Sequence, residues 1–135
     1  MATLEQDSAA RIPGMKEPGS DHPLTIAPFK GRVRVTFNGK VVADSRHAMK
    51  LQEASYPPVY YIPREDADWG VYHPSETQTH CPYKGQASYF TLDVEGKRVV
   101  DAVWSYQTPY PAAAKIAGHL AFYPDRVDRI EATEG

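Results

Sequence analysis

The sequence predicts a mainly β domain. Three observations carry that expectation: an alternating hairpin closed by Asn38-Gly39, a succession of short β-branched and aromatic runs, and one short stretch of strong helix formers. Val33, Val35 and Phe37 alternate with Arg34 and Thr36, so the run has one apolar and one polar face. Asn38-Gly39 supplies the left-handed backbone that a two-residue turn demands, and Val41-Val42-Ala43 returns as the partner strand. Ala48 to Glu53 fits either a further strand or one helical turn. Pro57-Pro58 forces an extended entry into Val59-Tyr60-Tyr61-Ile62, which reads as a strand ended by Pro63. Asp66 to Trp69 is expected to form a single helical turn, followed by Val71-Tyr72 and a polar stretch from His73 to Gln78.

The second half continues in the same style. Ala87 to Val94 alternates as a strand, and Glu95-Gly96-Lys97 turns. Arg98 to Tyr106 is the longest strand candidate, with Val100, Ala102, Trp104 and Tyr106 on one face and the preceding strand as its antiparallel partner. Pro109 and Pro111 lead into Ala112 to Ala117, where the one short helix is expected, terminated by Gly118. Leu120 to Tyr123 gives a last strand, which Val127 to Ile130 continues. Six to nine short strands with one helix imply antiparallel sheets folded over one core. Residues 1–21 carry no apolar period and read as a flexible N-terminal arm; residues 22–131 form the domain and 132–135 a tail.

Bulk properties narrow the function classes. With 135 residues there is room for one core and one small-molecule pocket, and 15 basic against 17 acidic residues leave a net charge of -2. The basic residues are scattered, so a nucleic-acid partner is not expected. Cys81 is the single cysteine, no run of about 18 apolar residues exists, and the N-terminus lacks a signal-peptide pattern. A soluble protein of a reducing, cytoplasmic compartment follows, with no membrane partner. The five histidines are dispersed without helical-face spacing, so no metal site and no cofactor are expected.

The motif Thr79-His80-Cys81-Pro82-Tyr83-Lys84-Gly85 confines a thiol and an amine to one turn-rich segment. With Val41-Val42-Ala43-Asp44-Ser45, Pro57 to Asp66, Trp104-Ser105-Tyr106 and Ile116 to Pro124, it resembles the signature of the domain of unknown function 427 family. The resemblance runs from His22 to about Glu131. It implies the same mainly β class, with the sheets strongly bent into an open barrel-like or tent-like arrangement that leaves a mouth. A nucleotidyltransferase label is sometimes attached to that family. The sequence has neither a P-loop glycine pattern nor a closely spaced acidic pair for magnesium, so that chemistry is not expected.

Within the motif, Cys81 beside Lys84 and exposed turn amides could have its thiol pKa lowered toward the nucleophilic thiolate, although a solitary cysteine is most often a small buried hydrophobe. Lys84 is either a solvated cation or the group that holds a carboxylate or phosphate over a pocket. Glu53 follows Leu51 at strand spacing, so if Leu51 enters the core Glu53 does too, and a buried carboxylate needs a partner; Lys84 is the first candidate. Asp44 is a possible acid or base, but Asp44-Ser45 reads more simply as a turn cap. Nine Tyr, four Phe and two Trp mostly build the core. Among them Tyr60, Tyr89, Trp104 and Tyr106, together with His119, are candidate ligand contacts, while His80 and His119 have the intrinsic acidity for proton transfer.

The leading expectation is a small enzyme acting on an organic metabolite by acid-base or covalent chemistry of a lyase, isomerase, cyclase or hydrolase type, not redox. Cys81, Lys84 and Glu53 are its expected catalytic residues. The alternative is a non-catalytic module that binds a small ligand.

Overall fold

In the computed structural model, which describes residues 12–135, turn chemistry and alternation decide where most strands begin and end. Ten strands form among the described residues: β1 (Leu24–Pro28), β2 (Gly31–Phe37), β3 (Lys40–Ser45), β4 (Met49–Glu53), β5 (Val59–Tyr61), β6 (Tyr72–Cys81), β7 (Gly85–Val94), β8 (Lys97–Ser105), β9 (Ala121–Phe122) and β10 (Arg129–Glu134). They assemble into three antiparallel sheets, ordered β1-β4-β5, β10-β2-β3 and β6-β7-β8-β9, and no closed barrel forms among them. Asn38 (φ 49°) and Gly39 (φ 78°) close the β2-β3 hairpin, and Glu95 (φ 50°) with Gly96 (φ 83°) closes β7-β8. Ala48 to Glu53 resolves to strand, because β4 is paired on both sides by β1 and β5.

The four-stranded sheet buries side chains on both faces. Phe90 and Leu92 of β7, Val103 of β8 and Phe122 of β9 share one face and pack with Val33, Val35 and Val42 of the β10-β2-β3 sheet. Ala87, Tyr89 and Ala121 point the other way and pack with Leu51, Tyr61, Tyr106 and Ile116. The single core expected from the sequence is therefore two clusters, separated by the pleat of one sheet. Ile62 and Leu120 exchange both backbone hydrogen bonds at 2.8 Å, which stitches the end of β5 alongside β9.

Several expectations need correction. The polar stretch His73 to Gln78 is strand: β6 is an edge, needs no second apolar face, and carries a register shift between Pro74 and Gln78 where proline removes a donor. The one short helix is a 3-10 segment, Pro111–Ile116, broken at Ala113 (φ -114°, ψ 21°); among the described residues three further single 3-10 turns occur at Arg64–Asp66, Trp69–Val71 and Pro124–Arg126. Val100 leaves the face assigned to it and is 61% exposed, because Asp101 (φ 55°) sits in a bulge that shifts the β7-β8 register. The tail expected at 132–135 is mostly strand, since β10 pairs with β2 as far as Glu134 opposite Gly31.

Residues 1–11 of the expected arm lie outside the described residues. From Ile12 to Asp21 the chain is mostly exposed but is tied down by hydrogen bonds. Lys16 N–H donates to the Pro82 carbonyl at 2.8 Å, Tyr110 Oη donates to the Pro13 carbonyl at 3.3 Å, and Gly19 bridges His22. This strap lies against the tip of the β6-β7 hairpin. Among the described residues no helix is long and apolar enough to cross a membrane.

Two glycines separate conformational freedom from close packing. Gly39 has open space where a Cβ would stand, whereas at Gly85 (φ 114°) a Cβ would meet Tyr110 N at 3.3 Å and Pro109 Cα at 3.4 Å. Gly39→Ala is expected to cost about 1 kcal/mol through backbone strain alone, and Gly85→Ala about 3 kcal/mol through strain plus crowding. Urea denaturation of both variants measures the difference; equal losses would mean that the hairpin tip yields without resistance.

Candidate functional site

The hairpin tip Pro82-Tyr83-Lys84 is held from two sides and delivers Lys84 inward. Its carbonyls at Pro82 and Lys84 accept from Lys16 N (2.8 Å) and Tyr110 N (2.9 Å), so the strap and the segment before the 3-10 helix both grip it. The Lys84 side chain is only 11% exposed, and its Nζ donates to Glu53 Oε1. Glu53 arrives by strand parity: Leu51 is 2% exposed in the core, and two residues on, the Glu53 side chain is 14% exposed on the same side of β4. The partnership expected from the sequence is formed.

His22 completes the array, a residue that sequence reasoning missed. Its Nε2 lies 2.8 Å from Glu53 Oε2, and its ring stacks on Tyr83 with centroids 3.9 Å apart and planes 6° apart. Both Glu53 oxygens are thus engaged. Burial pushes the Glu53 carboxyl up, but the hydrogen bonds and charges of Lys84 and His22 outweigh it and hold the group below its ordinary value. Lys84 Nζ also stands 6.0 Å from the Tyr106 ring centroid, a distance at which an aromatic face attracts a cation.

Beside this pair opens a cavity of about 260 Å³ walled by Tyr61, Tyr89, Trp104, Tyr106 and Tyr123, with Tyr56, Pro57 and Val59 on the β4-β5 side. Trp104 and Tyr123 rings lie 4.5 Å apart. Hydroxyls line the wall in linked groups: Trp104 Nε1 donates to Tyr61 Oη at 3.1 Å, and Tyr89 Oη lies 2.9 Å from Thr79 Oγ1 and 3.2 Å from Tyr123 Oη. Burial raises the Tyr61 and Tyr106 hydroxyls well above the ordinary phenol value, and burial together with the Tyr89 hydrogen bond pushes Tyr123 up to about 12. At neutral pH all three present O–H donors rather than phenolates.

Cys81 does not line this cavity. It is half-buried at the end of β6 opposite Gly85 and packs on the second core cluster. Tyr60 points to the opposite face of β5 from Tyr61, into a neighbouring groove. His119 sits apart, its Nδ1 3.0 Å from the Ala117 carbonyl, beside Arg64 and Gly118. His80 is exposed and bonds Tyr110 Oη at 2.7 Å. Asp44 is no turn cap: Arg32 grips both its oxygens at 2.8 and 2.6 Å, and those hydrogen bonds hold it below the ordinary carboxylate value. Ser45 does cap, with Oγ accepting from His47 N at 2.9 Å while donating to Asp66 at 2.6 Å.

A family model described as a domain of unknown function (DUF427) matches residues 25–133. The chain belongs to that family. The match takes in β4, the hairpin tip and every strand that walls the cavity, while His22 lies before it. No curated protein matches the chain.

Two outcomes are expected of the charge pair. Glu53→Leu or Lys84→Met alone should cost about 3 to 5 kcal/mol by stranding a buried charge, and the double variant should recover much of that loss. Additive effects in a denaturation cycle would show that the pair is not coupled. The pH dependence follows from the sign of the Glu53 shift. A carboxyl held below its ordinary 4.5 stabilises the fold fully above that value and loses the contribution as pH falls through its lower folded value. The stability gap between the parent chain and Glu53→Gln should therefore shrink on acidification below about 4.5.

Proposed function

We propose that this chain is an enzyme of the acid-base type that shifts a proton on a small planar carbonyl compound. The observation that supports it is the buried Glu53–Lys84 pair set in the wall of a hydroxyl-bearing aromatic cavity. In this reading the Lys84 ammonium donates to the carbonyl oxygen as negative charge grows there, and the Tyr61 and Tyr106 hydroxyls add neutral donors. Glu53, ionised at neutral pH, takes a proton from the carbon next to the carbonyl and returns it to another position of the same molecule. No electrons leave or enter; one C–H bond breaks and another forms. Trp104 and Tyr123 supply faces for a planar substrate. Cys81 drops out of the chemistry, because its side chain is turned to the core cluster.

A second reading, a non-catalytic binding module, is favoured by one observation. Glu53 already satisfies Lys84 and His22 and is held below its usual range, which makes it a weak base. Phenylpyruvate and phenylacetone in deuterated buffer separate the two. For the enzyme, proton NMR should show deuterium entering next to the carbonyl faster than in buffer, with about a 10²- to 10⁴-fold loss in a natively folded Glu53→Gln variant and full retention in Cys81→Ala. Saturable quenching of Trp104 without any exchange, abolished by Lys84→Ala, would establish the binding module instead. Absence of both exchange and binding sinks the site as proposed.

A further inference from the structure

We propose that the ligand of this site is an amphiphile whose apolar tail continues past the β4-β5 loop and Trp104 into a second, apolar groove. The inference rests on the small-molecule reading of the Lys84–Glu53 cavity and adds the tail. A groove of about 550 Å³ lies between β5 and the β10-β2-β3 sheet. Its walls, including Val33, Val35, Ile62 and Phe122, are apolar, and Arg129, the one charged residue among the described residues that line it, is already paired with Glu131 at 3.3 Å.

Strand parity fixes the relation between groove and cavity. Along β5, Tyr60 and Ile62 face the groove while Tyr61 faces the cavity; along the chain leaving β9, Phe122 and Pro124 face the groove while Tyr123 faces the cavity. The two spaces are therefore on opposite faces of one stitched sheet. Tyr56, Pro57, Val59 and Trp104 line both. The two spaces therefore meet along these four residues, at the β4-β5 loop, the start of β5 and the end of β8. A polar head gripped by Lys84 and the tyrosine hydroxyls would send its tail past Val59 and Trp104 into apolar surroundings. The groove offers that tail burial and the head nothing, which sets the orientation.

The probes are 4-alkylbenzoates from methyl to octyl, titrated against Trp104 fluorescence. Affinity is expected to rise about fourfold per methylene until the groove is filled, then level off. Pro124→Trp and Ile130→Phe narrow the groove without touching the cavity, and either should flatten the chain-length dependence while leaving 4-methylbenzoate binding unchanged. Lys84→Ala should weaken every member alike. If short and long chains bind equally, or if both groove variants keep the parent chain-length dependence, the tail site is wrong and the polar site stands. If long chains bind but Lys84→Ala has no effect, the groove stands as an apolar site and the polar-head reading fails. If no member binds, this proposal is overturned.

Discussion

A lysine amine carried into an aromatic interior must keep an acidic partner, and much of this molecule answers to that requirement. The Lys84 side chain is only 11% exposed, so β4 must hold the phase that turns Glu53 inward, and the β6-β7 tip must stay at one distance from it. The tip is accordingly anchored through its carbonyls, and Gly85 allows the backbone to pass close to Tyr110. His22 occupies the remaining carboxylate oxygen, so the strap is ordered by the same charge that orders the hairpin. A slip of one residue in β4 would face Glu53 to solvent and leave an ammonium buried alone.

The fold was legible wherever local chemistry decides the backbone. Asn38-Gly39, the alternation of Val33, Val35 and Phe37, and the Glu95-Gly96 turn are short-range signals, and each produced the element expected. What escaped was set by neighbours distant in the chain. β6 looks like a loop in sequence because an edge strand with both faces wet carries no apolar period. The Asp101 bulge has no residue signature, yet it turns Val100 outward while Ala102 and Val103 are both buried. The division of the core into two clusters follows from which half of β7 is covered on which face, and that is a property of the assembled sheets.

The site was half legible for related reasons. The Leu51-Glu53 spacing and the turn-rich Lys84 segment sufficed to pair two residues 31 positions apart. Tyr60 was preferred over Tyr61 because nothing in Val59-Tyr60-Tyr61-Ile62 tells which face is which; pairing of Met49 with Tyr61 settles it. Cys81 attracted attention through proximity in sequence to Lys84, but it packs behind the Tyr61 and Tyr106 side chains that wall the cavity, whereas Lys84 lines the cavity itself. His22 stands in a segment without periodicity, and only the folded stack on Tyr83 reveals it.

The polar edge strand β6 has a consequence for life at high concentration. The unpaired edge of a ten-residue strand is a template on which another molecule's strand can add, and repetition of that step builds fibres. Here the row of free backbone groups is interrupted at Pro74, its register is broken before Gln78, and its side chains are mostly exposed His, Glu, Gln and Thr. An incoming strand would find neither a continuous ladder nor an apolar strip to cover. The irregularity that hid β6 in the sequence is thus the feature that denies this edge to a neighbour.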